Sequence, residues 1–337
     1  MKTNVNLQPY NSFGFNATAK YFVEIKDITD LQRLIRNPEF KKEERLILGG
    51  GSNLLLTREF FNGMVIYINN KGIKTVSNEG NNVIVRVQAG ENWADFVKLM
   101  VSKGYHGVEN LAHIPGKVGA APVQNIGAYG MELKDSFLQC EAVNLETGKK
   151  KIFDKYGCSF GYRKSIFTGM LRGQYAITSV EFLLHKEADL KLDYGNIREY
   201  LAAQQIENPT LQQLHDAICA IRDAKLPDTK QLGNAGSFFK NPIIKADQFE
   251  RLKQQYPDIP HYDEPDGKVK VPAGWLIEKA GWKGWHDEHV GVYDKQALVL
   301  VQFGDGTGKE VLELAQKIQR SVEDKFGVKI ETEVNLI

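Results

Sequence analysis

The chain has 337 residues, 42% hydrophobic and 25% charged, enough for two or three domains with cores of their own. Lys plus Arg number 43 and Asp plus Glu 42, so no bulk field favours nucleic acid or an anionic membrane, and an anionic ligand must be held by local cations and backbone amides. Three scattered cysteines (Cys140, Cys158, Cys219) argue against a disulfide framework or a structural zinc site; with no apolar leader and no run of about 18 apolar residues, a cytoplasmic chain is expected.

Strand-like and helix-like segments alternate along the chain. Arg45 to Leu48 and Met64 to Ile68 read as short strands, and Val83, Val85 and Val87 alternate with polar residues as a half-buried strand does. Trp93, Phe96, Val97, Met100 and Val101 recur at helical spacing, with Gly104 placed to end the helix. Ala176 to Leu184 is an apolar strand. Leu211, Leu214, Ile218 and Ile221 mark a second helix that must stop before Pro227. Pro272 opens a short helix through Ala280, and Ala297 to Phe303 is a dense apolar strand. Val311, Leu314, Ala315, Ile318 and Val322 define a long helix closed near Gly327, and Val328 to Ile337 alternates as a terminal strand. Pro, Asp, Gly and Asn cluster between Lys225 and Gly236, the expected domain junction. The mixture predicts an α+β protein.

Three glycine-bearing loops stand out. Gly49-Gly50-Gly51-Ser52-Asn53 follows a strand directly, where successive amides can cradle a pyrophosphate or merely close a tight turn. The stretch from Pro115 to Gly130 has too few charges for a solvated loop and too many glycines for a regular element, as a functional loop or a buried connection would. Gly233 to Pro242 sets Ser237 and Lys240 beside two phenylalanines. Two other motifs fail on spacing. Gly304-Asp305-Gly306-Thr307-Gly308-Lys309 has Lys309 where a dinucleotide loop needs its third glycine. His286-Asp287-Glu288-His289 does not put both imidazoles on one helix face, so no metal is expected.

These motifs, in this order and with Gly161-Tyr162-Arg163-Lys164-Ser165-Ile166-Phe167, Lys225-Leu226-Pro227, Gly274-Trp275-Leu276-Ile277-Glu278 and Glu333-Val334, resemble the UDP-N-acetylenolpyruvoylglucosamine reductases over nearly the whole chain. The resemblance implies a two-part FAD-binding fold of the vanillyl-alcohol-oxidase type and a separate α+β substrate domain. The implied domains are 1–72 with 328–337, 73–226, and 227–327. Non-covalent FAD would be held by Gly49, Gly50, Gly51, Ser52, Asn53, Leu54, Pro115, Gly116, Gly119, Gln124, Asn125, Ile126, Gly127 and Tyr129. NADPH would reduce it, and the reduced flavin would reduce the enolpyruvyl double bond of UDP-N-acetylglucosamine-enolpyruvate, a cytosolic step of peptidoglycan synthesis by a monomeric enzyme. Tyr194 resembles the residue of the loop that closes over substrate in one subtype of the family.

Three residues are the implied catalysts. Arg163 can grip a carboxylate with two hydrogen bonds. Ser237 would give a proton to the enolate carbon. Glu333, if protonated, would serve the developing charge, although Glu331 offers the same chemistry two residues earlier and spacing alone does not choose. Lys225, Lys240, Asn241 and Tyr194 are the candidates for the diphosphate. Asn335 departs from an arginine frequent in the family, and Ala120 and Ala121 from serines found in some members. Two other readings are a flavin oxidase, in which His113 could carry the flavin covalently, and a colourless nucleotide-sugar-binding module.

Overall fold

Residues 1–337 are described by a computed structural model. They form two units: Met1–Val5, Thr18–Gly51 and Phe60–Ala224 make the first, and Asn6–Ala17, Ser52–Glu59 and Lys225–Ile337 the second.

The first unit holds two larger sheets and a two-stranded one, Gly127–Ala128 with Met131–Glu132. In one of the larger two, the strand Thr18–Ile25 pairs in parallel with Phe60–Ile68, which pairs in parallel with Glu44–Leu48. Ile25, Met64, Ile66 and Ile68 face a core closed by Leu31, Leu34 and Ile35 of the helix Ile28–Ile35 and by Phe40. The other is antiparallel, in the order Lys150–Asp154, Phe137–Asn144, Tyr175–His185, Asn82–Gln88, Ile73–Glu79. Val83, Val85 and Val87 point inward at one face, as their alternation requires. The helix Trp93–Ser102 covers that face with Trp93, Phe96, Val97, Met100 and Val101, and Asn92 caps it by accepting from the Asp95 N–H at 3.0 Å. Burying five such side chains is worth roughly 1.5–3 kcal/mol each, so the helix is held by its packing.

In the second unit, Gly233–Ser237, Val299–Gln302 and Val290–Val292 form an antiparallel sheet. Against it lies the helix Gly308–Phe326, which buries Val311, Leu314, Ala315, Ile318 and Val322. Thr307 and Glu310 form its capping box, and Gly327 ends it in the left-handed conformation, φ 64°. The Gly304–Lys309 motif is thus a strand-to-helix connection. Gly308 has its own reason to be glycine: a Cβ there would sit 1.8 Å from the Leu56 carbonyl oxygen.

The terminal strand is shorter than its alternation predicts. Val328, Ile330 and Val334 are buried, but only Asn335–Leu336 form a ladder, in parallel with Leu54–Leu55. Alternation reports one buried face, whereas a strand also needs a neighbouring backbone along its length. Here the neighbours are single: Gln319 Nε2 donates to the Ile330 carbonyl, and Thr332 makes an isolated bridge with Phe239. No helix is long and apolar enough to cross a membrane.

Candidate active site

The two glycine loops of the first unit meet at backbone distance. A Cβ on Gly50 would lie 2.7 Å from Gly116 Cα, and one on Gly119 would lie 2.4 Å from Ala89 Cβ. The second loop is pinned by backbone bonds from the Trp93 N–H to the Gly116 carbonyl (3.0 Å), the Val118 N–H to Glu91 (2.9 Å) and the Gly119 N–H to Ala89 (2.9 Å). Lys117, between them, turns its side chain inward. Its ammonium donates to the Ile68 carbonyl and to Asn69 Oδ1, both at 2.9 Å, and sits 3.8 Å from the centre of the Tyr67 ring. No carboxylate touches it, and burial, helped by Lys71 and opposed by Glu24 and Glu91, pushes its pKa down to about 8.

Further along, Asn125 is fully buried and uses both ends of its amide: Nδ2 donates to the Gly161 carbonyl (3.1 Å), and Oδ1 accepts from the Lys134 N–H (3.0 Å). Ser165 Oγ donates to the Val123 carbonyl at 2.6 Å, and Arg163 Nη2 to the Gly127 carbonyl at 2.7 Å. Three bonds therefore sew the Gly161–Ser165 turn onto the glycine loop and hold the half-buried Arg163 guanidinium at Gly127. A Cβ on Gly127 would come within 2.9 Å of the Met131 carbonyl oxygen and 2.8 Å of Arg163 Nη1, so a side chain here would force the backbone to shift. Asn125, Tyr129 and Arg163 have left-handed backbones, with φ of 49°, 47° and 51°. Such residues cost up to about 1–3 kcal/mol each and cluster at ligand clamps. The close-packed glycines and this strain fit a loop shaped around a flat, phosphate-bearing cofactor.

Tyr194 belongs to the first unit and is exposed; its ring lies 3.5–3.6 Å from where a Cβ on Gly130 would be. The turn before the glycine loop is anchored from the helix Leu211–Lys225. Arg222 Nε donates to the His113 carbonyl (3.2 Å), while His113 Nε2 lies 2.8 Å from Asp223. Burial raises the Tyr129 phenol pKa, opposed by the Arg222 charge.

In the second unit, Ser237 ends a strand and pairs with Val299. The next residues run beside the chain terminus: the Glu333 N–H donates to the Phe238 carbonyl (2.8 Å) and the Lys240 N–H to the Glu331 carbonyl (2.9 Å). This pairing sets the backbones of Ser237 and Glu333 on adjacent segments, and the two glutamates that spacing alone does not tell apart differ in their surroundings. Glu331 is 80% exposed and pairs loosely with Lys240 at 3.7 Å, whereas Glu333 is half-buried and its carbonyl accepts from Asn53 Nδ2 at 3.3 Å. Asn335 Nδ2 donates to the Asn53 carbonyl at 3.0 Å. Asn241 Oδ1 accepts from the Ala273 N–H (2.9 Å) and so orients the start of the helix Ala273–Lys279. Lys225 begins the main segment of this unit. The His286–His289 segment is a turn in which Asp287 accepts from the His289 and Val290 N–H groups at 2.8 and 2.7 Å.

Asn110, Lys117 and Arg222 are missing from the sequence reading. Lys117 lies inside the glycine stretch, so position could have flagged it; a lone asparagine before the loop carries no such signal.

The FAD binding domain family model matches residues 19–152, which contain both glycine loops. Fold and loops define an α+β FAD-dependent oxidoreductase. The model of the UDP-N-acetylenolpyruvoylglucosamine reductase C-terminal domain matches residues 227–337. The UDP-N-acetylenolpyruvoylglucosamine reductase of Flavobacterium johnsoniae is 45% identical, covering 100% of this chain and 99% of its own, and that of Pseudomonas putida is 44% identical, covering 98% and 97%. The chain belongs to the UDP-N-acetylenolpyruvoylglucosamine reductase family. The crystal structure of the Thermus caldophilus enzyme shares the fold, with a TM-score of 0.68 at 22% identity over 98% of this chain and 97% of that one.

Proposed function

We propose that this enzyme reduces the enolpyruvyl double bond of UDP-N-acetylglucosamine-enolpyruvate to give UDP-N-acetylmuramate, in the cytoplasm and as a monomer, with NADPH as reductant. The observation that carries this reading is the end-to-end likeness to reductases of that name, in a chain whose Arg163 turn is sewn onto its glycine loop. Residues 1–72 with 328–337 and residues 73–226 are assigned to flavin, and 227–327 to the nucleotide sugar. The match over 19–152 supports the flavin part of that division.

Gly49 to Leu54 and Pro115, Gly116, Gly119, Gln124, Asn125, Ile126, Gly127 and Tyr129 would hold FAD non-covalently, and the bound group would supply hydride chemistry at the substrate methylene carbon, with NADPH as reductant. The adjacent carbon gains carbanion character, which drains into the substrate carboxylate. Arg163, permanently charged and fixed at Gly127, is the donor for that carboxylate. Ser237 gives its hydroxyl proton to the carbon; a carbanion is basic enough to take it. Glu333, half-buried, serves as a protonated donor to the enolate oxygens. Asn125 contributes through its backbone, since its side chain holds the turn that carries Arg163. Lys225, Lys240 and Asn241 bind the diphosphate and Tyr194 closes over it. Incubation with NADPH and the enolpyruvyl nucleotide sugar, followed by mass analysis, is expected to give a product richer by two hydrogens. An unchanged substrate mass with fully loaded protein would refute the assignment.

A further inference from the structure

Asn110 sits in the short turn Glu109–Leu111 just ahead of the glycine loop and is 0% exposed. Its Nδ2 donates twice, to the carbonyl of Tyr129 and to the carbonyl of Lys191, each at 2.9 Å. The first acceptor belongs to the glycine loop, the second to the stretch that carries Tyr194. Asn110 Oδ1 is buried and has no hydrogen-bond partner, so the residue serves here as a donor. A leucine of similar size would leave two part-buried carbonyls without this donor, and an aspartic acid, even protonated, has one hydrogen to give.

Around this amide the two segments interleave. The Tyr194 ring lies against Gly130, and the Tyr129 ring lies 3.5 Å from where a Cβ on Gly195 would be. Tyr129 holds a backbone conformation unfavourable for a bulky residue, φ 47°, and the bond to its carbonyl helps fix it. The ion pairs near the stretch, Lys191–Asp135 at 3.8 Å and Arg198–Asp193 at 2.5 Å, are largely exposed. Exposed pairs contribute little, so the double bond from the fully buried Asn110 amide is the firmer tie.

We infer that Asn110 is a positioning residue that fastens the Tyr194 stretch to the flavin loop, so that order in one is passed to the other. This rests on the reading that Tyr194 closes over the nucleotide sugar, and it assigns the placing of that closure to a residue that acts through Tyr129 and Lys191. Loss of the tie should loosen residues 190–196 and weaken nucleotide-sugar binding, with little effect on hydride transfer from NADPH.

The test compares full-length, FAD-loaded wild type, Asn110→Leu and Asn110→Asp by hydrogen–deuterium exchange, alongside KM for the enolpyruvyl nucleotide sugar and the rate of flavin reduction by NADPH. In Asn110→Leu, amide exchange across 190–196 and KM should each rise about tenfold or more, the size expected from losing hydrogen bonds to part-buried carbonyls. Asn110→Asp should fall between, because a buried acid facing two carbonyls keeps its proton and one bond. Flavin reduction should stay within about twofold, far below one hydrogen bond's effect. Exchange in 190–196 equal to wild type in a folded, yellow variant would overturn the proposal, as would a rise spread evenly over the chain. If Asn110→Leu does not fold, Asn110→Asp is judged by the same criteria. A wild type that ignores the nucleotide sugar while the exchange difference appears would sink the functional reading and leave the tie standing.

Discussion

The glycine loop of the first unit and the paired segments of the second hold chemical groups by different means. Residues 115–130 are shaped by missing side chains and strained backbone: Gly50, Gly119 and Gly127 have no room for a Cβ, and Asn125 and Tyr129 adopt left-handed angles. Ser237 ends a paired strand and Glu333 adjoins an isolated bridge, placed by backbone hydrogen bonds that any side chain would allow, so that in the proposed reaction only the identity of the side chain carries the chemistry. The difference teaches where each region is brittle. On the proposed reading the loop fails when volume is added, and the site at Ser237 and Glu333 fails when a functional atom is removed.

Adding volume should have the largest effect. Gly119→Leu places its side chain into Ala89, and the purified protein should lose its yellow colour, with FAD affinity down at least about 100-fold, or ~2.7 kcal/mol. Retained flavin absorbance would break the comparison on the loop side. Removing an atom comes next. Ser237→Ala should keep flavin absorbance and rapid bleaching by NADPH, while reoxidation by the enolpyruvyl substrate slows about 10²–10⁴-fold, the usual worth of a positioned proton donor. Stopped-flow traces of both half-reactions would show it, and two fast phases would remove Ser237 from its role.

The glutamate pair sharpens the contrast further. Glu333→Gln should slow substrate reduction about 100-fold, within the range of acid–base groups. Glu331→Gln should change it less than about threefold, because an exposed pair with Lys240 is worth at most about 1 kcal/mol. Equal effects would mean that burial does not distinguish the two. The smallest effect concerns Lys117. Its pKa in the fold, about 8, is below its ordinary value of 10.5. Between these values the unfolded chain binds more protons, so the lysine's contribution to stability is lowest below pH 8 and rises as pH climbs toward 10.5. Partial exposure screens the effect. Relative to Lys117→Met, wild-type melting temperature should gain roughly 2 °C across that window, and a flat difference in calorimetry would contradict it.

Much of the fold is legible because periodicity and punctuation agree. The Trp93–Val101 spacing and Gly104 describe a helix and its stop, and Val311 to Gly327 does the same. The terminal strand is shorter than alternation in Val328–Ile337 suggests, because alternation records burial and is silent about partners. In the site, glycines announce close backbone approach, so the flavin loops can be marked from sequence. The Glu333-Val334 motif points to Glu333, but spacing alone does not choose it over Glu331, since two residues on one alternating face differ only in what lies beside them. Asn110 is invisible for the same reason: its acceptors, Tyr129 and Lys191, come from segments joined only by the fold.

The central claim is that bound flavin passes electrons from a nicotinamide to the enolpyruvyl nucleotide sugar. An anaerobic spectral titration tests it most directly. NADPH should bleach the flavin absorbance of the purified protein, and UDP-N-acetylglucosamine-enolpyruvate should restore it without oxygen. Restoration by oxygen alone, with none from the nucleotide sugar, would contradict the account.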